Sequence, residues 1–179
     1  MNQYKMERMP QMKETIGEKA DFLRNVRLQD IESLLDGDKA SVRKELEHAL
    51  EQLASDKKEG SLVICFLRSS YIANSHEFYI AFYEEEPFVE EEPDCIYFRM
   101  KEVFDGLEED WRELDEALHQ HFIRIISGEK AEIHRWYTER IYQALDRIMK
   151  ETVENMGKDK GISVYYGGYM EELKAIGCI

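Results

Sequence analysis

The sequence of 179 residues is poor in proline, glycine and cysteine, and each scarcity excludes a class of protein. Three prolines and ten glycines are too few for a collagen-like or linker-dominated chain. The three cysteines, Cys65, Cys95 and Cys178, are odd in number and lack CxxC spacing, so they predict reduced thiols rather than a disulfide framework. A chain of this length buries roughly 70% of its unfolded surface, so it can fold without disulfides or a metal.

Long hydrophobic runs are also missing. The longest unbroken apolar run spans residues 62–67, whereas a helix that crosses a bilayer needs about 20 apolar residues. Residues 1–5 lead into polar sequence without the apolar stretch of a secretory signal. We therefore expect no membrane partner and a cytoplasmic location.

Basic residues are in the minority, with 24 against 38 acidic residues and a formal net charge of −14. Such a charge repels a phosphate backbone, so direct binding of nucleic acid is not expected. The excess lies in residues 84–116, which hold fifteen acidic and three basic residues. This acidic segment predicts a docking surface for a basic protein. The alternative is a solvated surface that keeps the chain in solution.

Hydrophobic periodicity predicts one α+β domain. Apolar residues recur at helical spacing before Gly60 and again after residue 101, whereas residues 61–67 form a buried run and residues 76–83 alternate. We expect a small antiparallel sheet of three or four strands packed against a long C-terminal helical hairpin, with an N-terminal helical pair on an edge or the second face. The predicted segments are an N-terminal arm (1–16), the helical pair (17–60), strands (61–100), the hairpin (101–157), and a final strand with a short helix (158–179).

The segment that joins the first two predicted strands, residues 68–77, is the best candidate for a ligand site. It is longer than a tight hairpin turn and rich in polar side chains. A hydrolase would use a serine as nucleophile, His76 as base and Glu77 to orient it, although neighbouring strand residues point to opposite faces and no GxSxG elbow is present. The alternatives are an anion site and a plain polar turn. The candidate ligand-binding residues are Arg68, Ser69, Ser70, Asn74, Ser75 and His76.

Strand alternation places several tyrosines on one face of the predicted sheet, including Tyr165 beside Ser163. Tyrosine offers rigid amphipathic area to a partner or a flat ligand. The alternative is that the N-terminal helical pair covers this face. Together with the two EEEP repeats, the tyrosines complete the candidate partner surface: Tyr79, Tyr83, Tyr97, Arg99, Glu84, Glu85, Glu86, Glu90, Glu91 and Glu92.

Two histidines provide a weaker metal hypothesis. If the hairpin turns at Ser127–Gly128, His121 and His134 face each other with Glu132 adjacent, and such a group could hold a transition metal. The alternative is hydrogen-bonded histidines at a helix interface. The pairs Glu45 with His48 and Glu116 with His119 have the Glu-x-x-His spacing of a di-iron bundle but fall outside the apolar stripes. No cofactor is expected, because the sequence has no glycine-rich phosphate loop, zincin motif or Rossmann fingerprint.

These patterns favour a non-enzymatic interaction or regulatory module that binds a basic protein through residues 84–116. The alternative is a small hydrolase or anion-binding enzyme with its site at residues 68–77. The sequence leaves open whether the chain is an enzyme and whether it forms a homo-oligomer.

Overall fold

The computed structural model describes residues 3–36, 41–89, 92–157 and 160–179. It combines helices with one sheet, so the predicted α+β class is confirmed. The helices are α1 (Gln3–Thr15), α2 (Gly17–Asp36), α3 (Ser41–Ala54), α4 (Arg68–Ile72), α5 (Lys101–Phe104), α6 (Leu107–His121), α7 (Ser127–Ala144) and α8 (Asp146–Asn155). The strands are β1 (Glu59–Phe66), β2 (Glu77–Tyr83), β3 (Asp94–Arg99), β4 (Gly161–Gly168) and β5 (Leu173–Cys178).

The sheet has five strands in the order β3-β2-β1-β4-β5. Strands β1 and β4 are parallel, whereas the other neighbouring pairs are antiparallel. The prediction of three or four antiparallel strands is therefore wrong in strand number and in the direction of one pair. A parallel pair needs a long crossover connection, and the helices between β3 and β4 provide it.

The fifth strand corrects a second expectation. The short helix predicted at the end of the chain spans residues 170–176 and is closed by Gly177. In the structure Leu173–Cys178 pairs with β4 instead, with a register shift near Val164 and Tyr165. A helix of two turns is marginal in isolation, whereas a strand here completes the hydrogen bonds of β4.

The helical hairpin differs from the prediction in detail. Helix α6 ends at His121, and Ser127 begins α7 rather than forming the turn. The Glu129 carboxylate accepts a hydrogen bond from the Ile126 N–H at 3.0 Å, which helps to fix the start of α7. After Ala144 a short break at Leu145 separates α7 from α8.

The N-terminal helices lie on the same side of the sheet as the hairpin, not on its second face. Strand residues Leu62, Ile64 and Phe82 share one apolar cluster with residues of α1, α2, α3 and α5–α8. Helix α3 contacts β2 and β3, whereas α8 contacts β4 and β5. Other side chains than those of the helices therefore have to shield the opposite face of the sheet from water.

A buried ion pair ties the helices of this layer together. Arg27 of α2 donates to both carboxylate oxygens of Asp110 in α6, at 3.0 and 2.9 Å, and to the Gly106 carbonyl at 2.9 Å. The Tyr137 hydroxyl of α7 donates to the same carboxylate at 2.8 Å. The Asp110 side chain is only 5% exposed. Hydrogen bonding to Asp110 raises the pKa of the Arg27 guanidinium, so Arg27 is charged in the folded protein.

Replacing Asp110 by Asn removes the buried counter-charge of the Arg27 guanidinium and leaves it only the exposed Asp30, at 3.3 Å. We expect the free energy of unfolding to fall by about 3 kcal/mol, as measured by urea denaturation. The matched control is Glu109→Gln, which removes one acidic charge from an exposed position of the same helix. An equal loss in both variants would contradict a structural role for the buried pair.

Candidate functional site

A chain of aromatic rings covers the face of the sheet that the helices leave open. We call Tyr79, Tyr83, Phe88, Tyr97 and Tyr169 the aromatic face. Ring centroids lie 5.7 Å apart for Tyr97 and Tyr79, 5.2 Å for Tyr79 and Tyr169, 5.6 Å for Tyr169 and Phe88, and 5.8 Å for Phe88 and Tyr83. These separations are typical of favourable ring contacts. Among the described residues, this layer is built by strands and loops, with no helix residue in its buried cluster.

The inner part of the aromatic face is a small second core. Val63, Cys65 and Ala81 are fully buried beneath the rings of Tyr79 and Tyr83. Burial raises the pKa of both tyrosine hydroxyls, so they stay protonated at neutral pH. The predicted grouping of Tyr79 and Tyr83 on one face, with Tyr165 packed against it, is confirmed.

The outer part of the aromatic face is open to solvent. Tyr97 is 65% exposed and Tyr169 is 43% exposed. Val89 and Met170, which adjoin Phe88 and Tyr169 in the chain, are also exposed. Clustered apolar side chains at the surface are typical of sites that bind another molecule.

The acidic connection, which we define as residues 84–93, runs from β2 to β3 beside these rings. Its side chains Glu84, Glu85, Glu86 and Glu92 are exposed, while the candidates Glu90 and Glu91 lie outside the described residues. Phe88 anchors the connection against Tyr83 and has a φ of 66°, in the left-handed region that side chains other than glycine rarely adopt. Packing of this ring therefore holds the connection next to the sheet.

The acidic residues of α6 belong to a different surface, on the helical side of the sheet. Several of them are neutralised within the fold: Glu113 contacts Lys19, Asp115 contacts Lys130 at 3.0 Å, and Arg112 contacts both Glu109 and Glu116. Asp110 is buried. The predicted acidic segment 84–116 is therefore split by the fold: Glu84, Glu85, Glu86 and Glu92 lie in the connection that contains Phe88, whereas the acidic residues of α6 lie in the helical layer.

The polar segment 68–77 is more ordered than its sequence indicates, because Arg68–Ile72 forms the short helix α4. The Ser70 hydroxyl is buried and lies 2.9 Å from the Leu67 carbonyl and 3.0 Å from the Glu77 carbonyl. The Ser75 hydroxyl donates to the Ser70 carbonyl at 3.3 Å. These serines therefore close the turn in the way that the polar-turn alternative describes.

The charged ends of this segment are paired with other parts of the chain. Arg68 is exposed and contacts Glu171 at 2.7 Å, beside the exposed Ser69. Glu77, the predicted orienting carboxylate, contacts Arg99 at 2.6 Å. The structure therefore directs Glu77 towards β3 and not towards His76.

His76 is buried and fully hydrogen-bonded. Asn74 Oδ1 accepts a hydrogen bond from its Nε2–H at 2.7 Å, so Nδ1 accepts from the Tyr142 hydroxyl at 2.9 Å. The imidazole also stacks on Phe104 with 4.5 Å between ring centroids. Burial lowers the pKa of His76 to about 4. Both ring nitrogens are occupied, so no serine hydroxyl of the described residues reaches this base.

A cavity of about 260 Å³ lies beside His76, lined by Asn74, His76, Phe104, Asp105 and Glu108. Two carboxylates at its mouth make it unfavourable for an anion. The hydrolase and anion-binding hypotheses stay predictions: a cavity lies at this segment, but neither its carboxylates nor the placement of Arg68 and the serines supports them.

The two candidate metal ligands are not grouped around a common point. His121 is exposed at the end of α6, whereas His134 Nε2 contacts Asp115 Oδ1 at 3.0 Å and its ring stacks on Trp111. Glu132 contacts Lys13 at 3.5 Å. In the part of the chain that the structure describes, no three His, Cys, Asp or Glu side chains are arranged to hold a metal ion.

Sequence reasoning missed two members of the aromatic face and one partner of His76. Phe88 had a signal, because it is the aromatic residue between the two EEEP repeats. Tyr169 follows Gly167–Gly168, a point where the chain was expected to enter a helix. Tyr142 follows Ile141 on a helical stripe, and nothing in that spacing connects it to His76.

Comparisons with protein-family models, with curated proteins and with solved structures find no match for this chain. Over residues 3–36, 41–89, 92–157 and 160–179, no helix combines the length and apolar character needed to cross a bilayer.

The environment of His76 predicts a pH dependence of stability. Its folded pKa of about 4 lies below the ordinary value near 6.5, so the unfolded chain binds more protons between these values. The free energy of unfolding therefore decreases as pH falls from 6.5 towards 4. We expect His76→Gln to reduce this slope in urea denaturation at pH 7.5, 6.5 and 5.5. His119→Gln, which removes an exposed imidazole, serves as the control, and equal slopes in all three proteins would disprove the assignment.

Proposed function

We propose that this protein is a non-enzymatic interaction module that binds a basic protein partner through the acidic connection and the aromatic face. The observation that carries the proposal is that Phe88, within the acidic connection, packs against Tyr83 and Tyr169 and so brings a connection with exposed glutamates against the aromatic face. Aromatic side chains supply most of the binding energy at many protein interfaces, while charges at the rim steer the partner and set specificity.

Local charge supports a cationic partner. Residues 84–99 contain seven acidic residues and a single basic one, Arg99. Lys57 contacts Glu84 at 3.6 Å and Asp94 at 3.2 Å. Because acidic residues outnumber basic ones in this stretch, a partner rich in Lys or Arg would relieve the repulsion among its carboxylates.

A second copy of the chain fits this surface less well than a basic protein. Each copy has a formal charge of −14 and the same acidic connection. Joining two such surfaces face to face would bring like charges together, which is unfavourable across an interface.

Neutralising the acidic connection tests the proposal. The variant Glu84→Gln, Glu85→Gln, Glu86→Gln and Glu92→Gln removes four exposed carboxylates beside the aromatic face. We expect it to lose at least ten-fold in affinity for a cationic protein that the unmodified chain captures from lysate at low salt. Each captured protein is identified, purified and then titrated by calorimetry at 50 and 300 mM salt.

The matched control removes the same number of carboxylates from the helical side, in the variant Glu108→Gln, Glu109→Gln, Glu116→Gln and Glu154→Gln. These four side chains are exposed on α6 and α8. We expect its affinity to stay within about two-fold of the unmodified chain. An equal loss in both variants would show that net charge alone drives association, and no loss in the first would contradict the proposal.

A further inference from the structure

We infer that the basic partner binds as an extended strand along the outer edge of β3. The inference rests on the proposed function and adds the conformation in which the partner is recognised. It is carried by the position of β3 in the sheet, by the direction of its backbone groups and by the exposed side chains that share that edge.

Strand β3 is an edge strand, because the sheet order places β2 on one side of it only. Its pairing with β2 is regular from Phe82 opposite Asp94 to Glu77 opposite Arg99. Regular edge strands are templates for the addition of another strand, since their outer N–H and C=O groups have no ladder partner.

The direction of the backbone groups follows from one hydrogen bond. The Met100 N–H donates to the His76 carbonyl, which makes residues 76 and 100 a hydrogen-bonded pair at the end of the ladder. Such pairs alternate along antiparallel strands, so the backbone of Phe98 and Ile96 points towards β2. The N–H and C=O groups of Cys95, Tyr97 and Arg99 therefore point away from the sheet.

These three outward residues also belong to the aromatic side of the sheet. Tyr97 contacts Tyr79, and Cys95 and Arg99 are exposed. Within the described residues, none of the turn, loop and cap hydrogen bonds between backbone groups involves the N–H groups of Cys95, Tyr97 or Arg99. A strand added here would therefore gain main-chain hydrogen bonds and extend the aromatic face at the same time.

The other edge of the sheet is a poorer template. Strand β5 has a register shift in its pairing with β4, and such irregularities twist an edge away from further pairing. The two edges therefore differ, and β3 is the regular one.

Charge indicates the occupant of the β3 edge. Its N-terminal end carries Asp94, which contacts Lys57 at 3.2 Å, and lies next to Glu92 and the glutamates at 84–86. The single basic residue of β3 itself, Arg99, contacts Glu77. The segment that fits is therefore extended and rich in Lys or Arg, with apolar residues at alternate positions to pack beside Tyr97.

The experiment uses two synthetic peptides and the full chain labelled with ¹⁵N. The first is a blocked eight-residue peptide of alternating Lys and Val. The second has the same sequence with N-methyl groups on its two central residues, which keeps the charge and side chains but removes one hydrogen-bond donor from each edge. We expect the methylated peptide to bind at least ten-fold more weakly, and only the first peptide to slow amide exchange at Cys95, Tyr97 and Arg99.

Two variants test the same edge from the side of the protein. Tyr97→Pro removes an outward N–H and blocks pairing, whereas Tyr97→Ala removes the ring and keeps the N–H. We expect the first peptide to bind Tyr97→Pro at least ten-fold more weakly than Tyr97→Ala, with amide spectra verifying that both variants are folded.

The outcomes separate this inference from the proposed function. If both peptides bind equally and the four-Gln variant of the acidic connection weakens both, strand addition is wrong and the proposed function stands. If neither peptide binds, or the four-Gln variant binds them unchanged, both proposals are overturned. Protection of the same three amides by self-association of the chain alone would assign the edge to a second copy and overturn the inference.

Discussion

One-sided packing is the constraint from which the rest of this structure follows. The helices that share the main apolar cluster lie on one face of a five-stranded sheet, so the opposite face has to be closed by strand and loop side chains. Tyr79 and Tyr83 bury Val63, Cys65 and Ala81 in this way. An aromatic layer that protects a sheet without a covering helix still leaves its outer rings in contact with water. The same packing therefore produces the small second core and the exposed surface that we assign to binding.

The acidic residues divide into two groups with different physical roles. Those of α6 are involved in the fold: Asp110 is buried against Arg27, and Asp115 is held by Lys130 and His134. Those of the acidic connection are exposed, and Phe88 keeps them beside the aromatic face. In the sequence the two groups form one acidic segment, residues 84–116, because they are neighbours in the chain. The fold separates them, because α6 packs in the helical layer whereas Phe88 holds the acidic connection against Tyr83 and Tyr169. Under the proposed function, the second group would steer a cationic partner towards aromatic side chains.

His76 shows how a residue with catalytic potential can be used for structure. Its ring is buried, stacked on Phe104 and hydrogen-bonded to Tyr142 and Asn74, and its backbone has a φ of 48°. The neighbouring Ser70 stabilises the turn between β1 and β2, because its hydroxyl lies within hydrogen-bond distance of the Leu67 and Glu77 carbonyls. Such a histidine stabilises the junction between α4, β2 and α7 as long as it is neutral. The cavity next to it is a consequence of this junction and is bordered by carboxylates.

The amino-acid pattern alone determined the mixed class, most helices, the first four strands and the alternation that puts Tyr79 and Tyr83 on one face, because these depend on local periodicity and burial. It did not determine the parallel pairing of β4 with β1, the strand at Leu173–Cys178 or the side on which the N-terminal helices pack, because each depends on which edges and faces are free after the chain has folded back. The site divides in the same way. The candidate glutamates and the strand tyrosines could be predicted from their positions in the sequence. Contacts between segments distant in sequence decided the rest: the place of Tyr169 on the aromatic face, the hydrogen bond of Tyr142 to His76, and the outward direction of the backbone groups of β3.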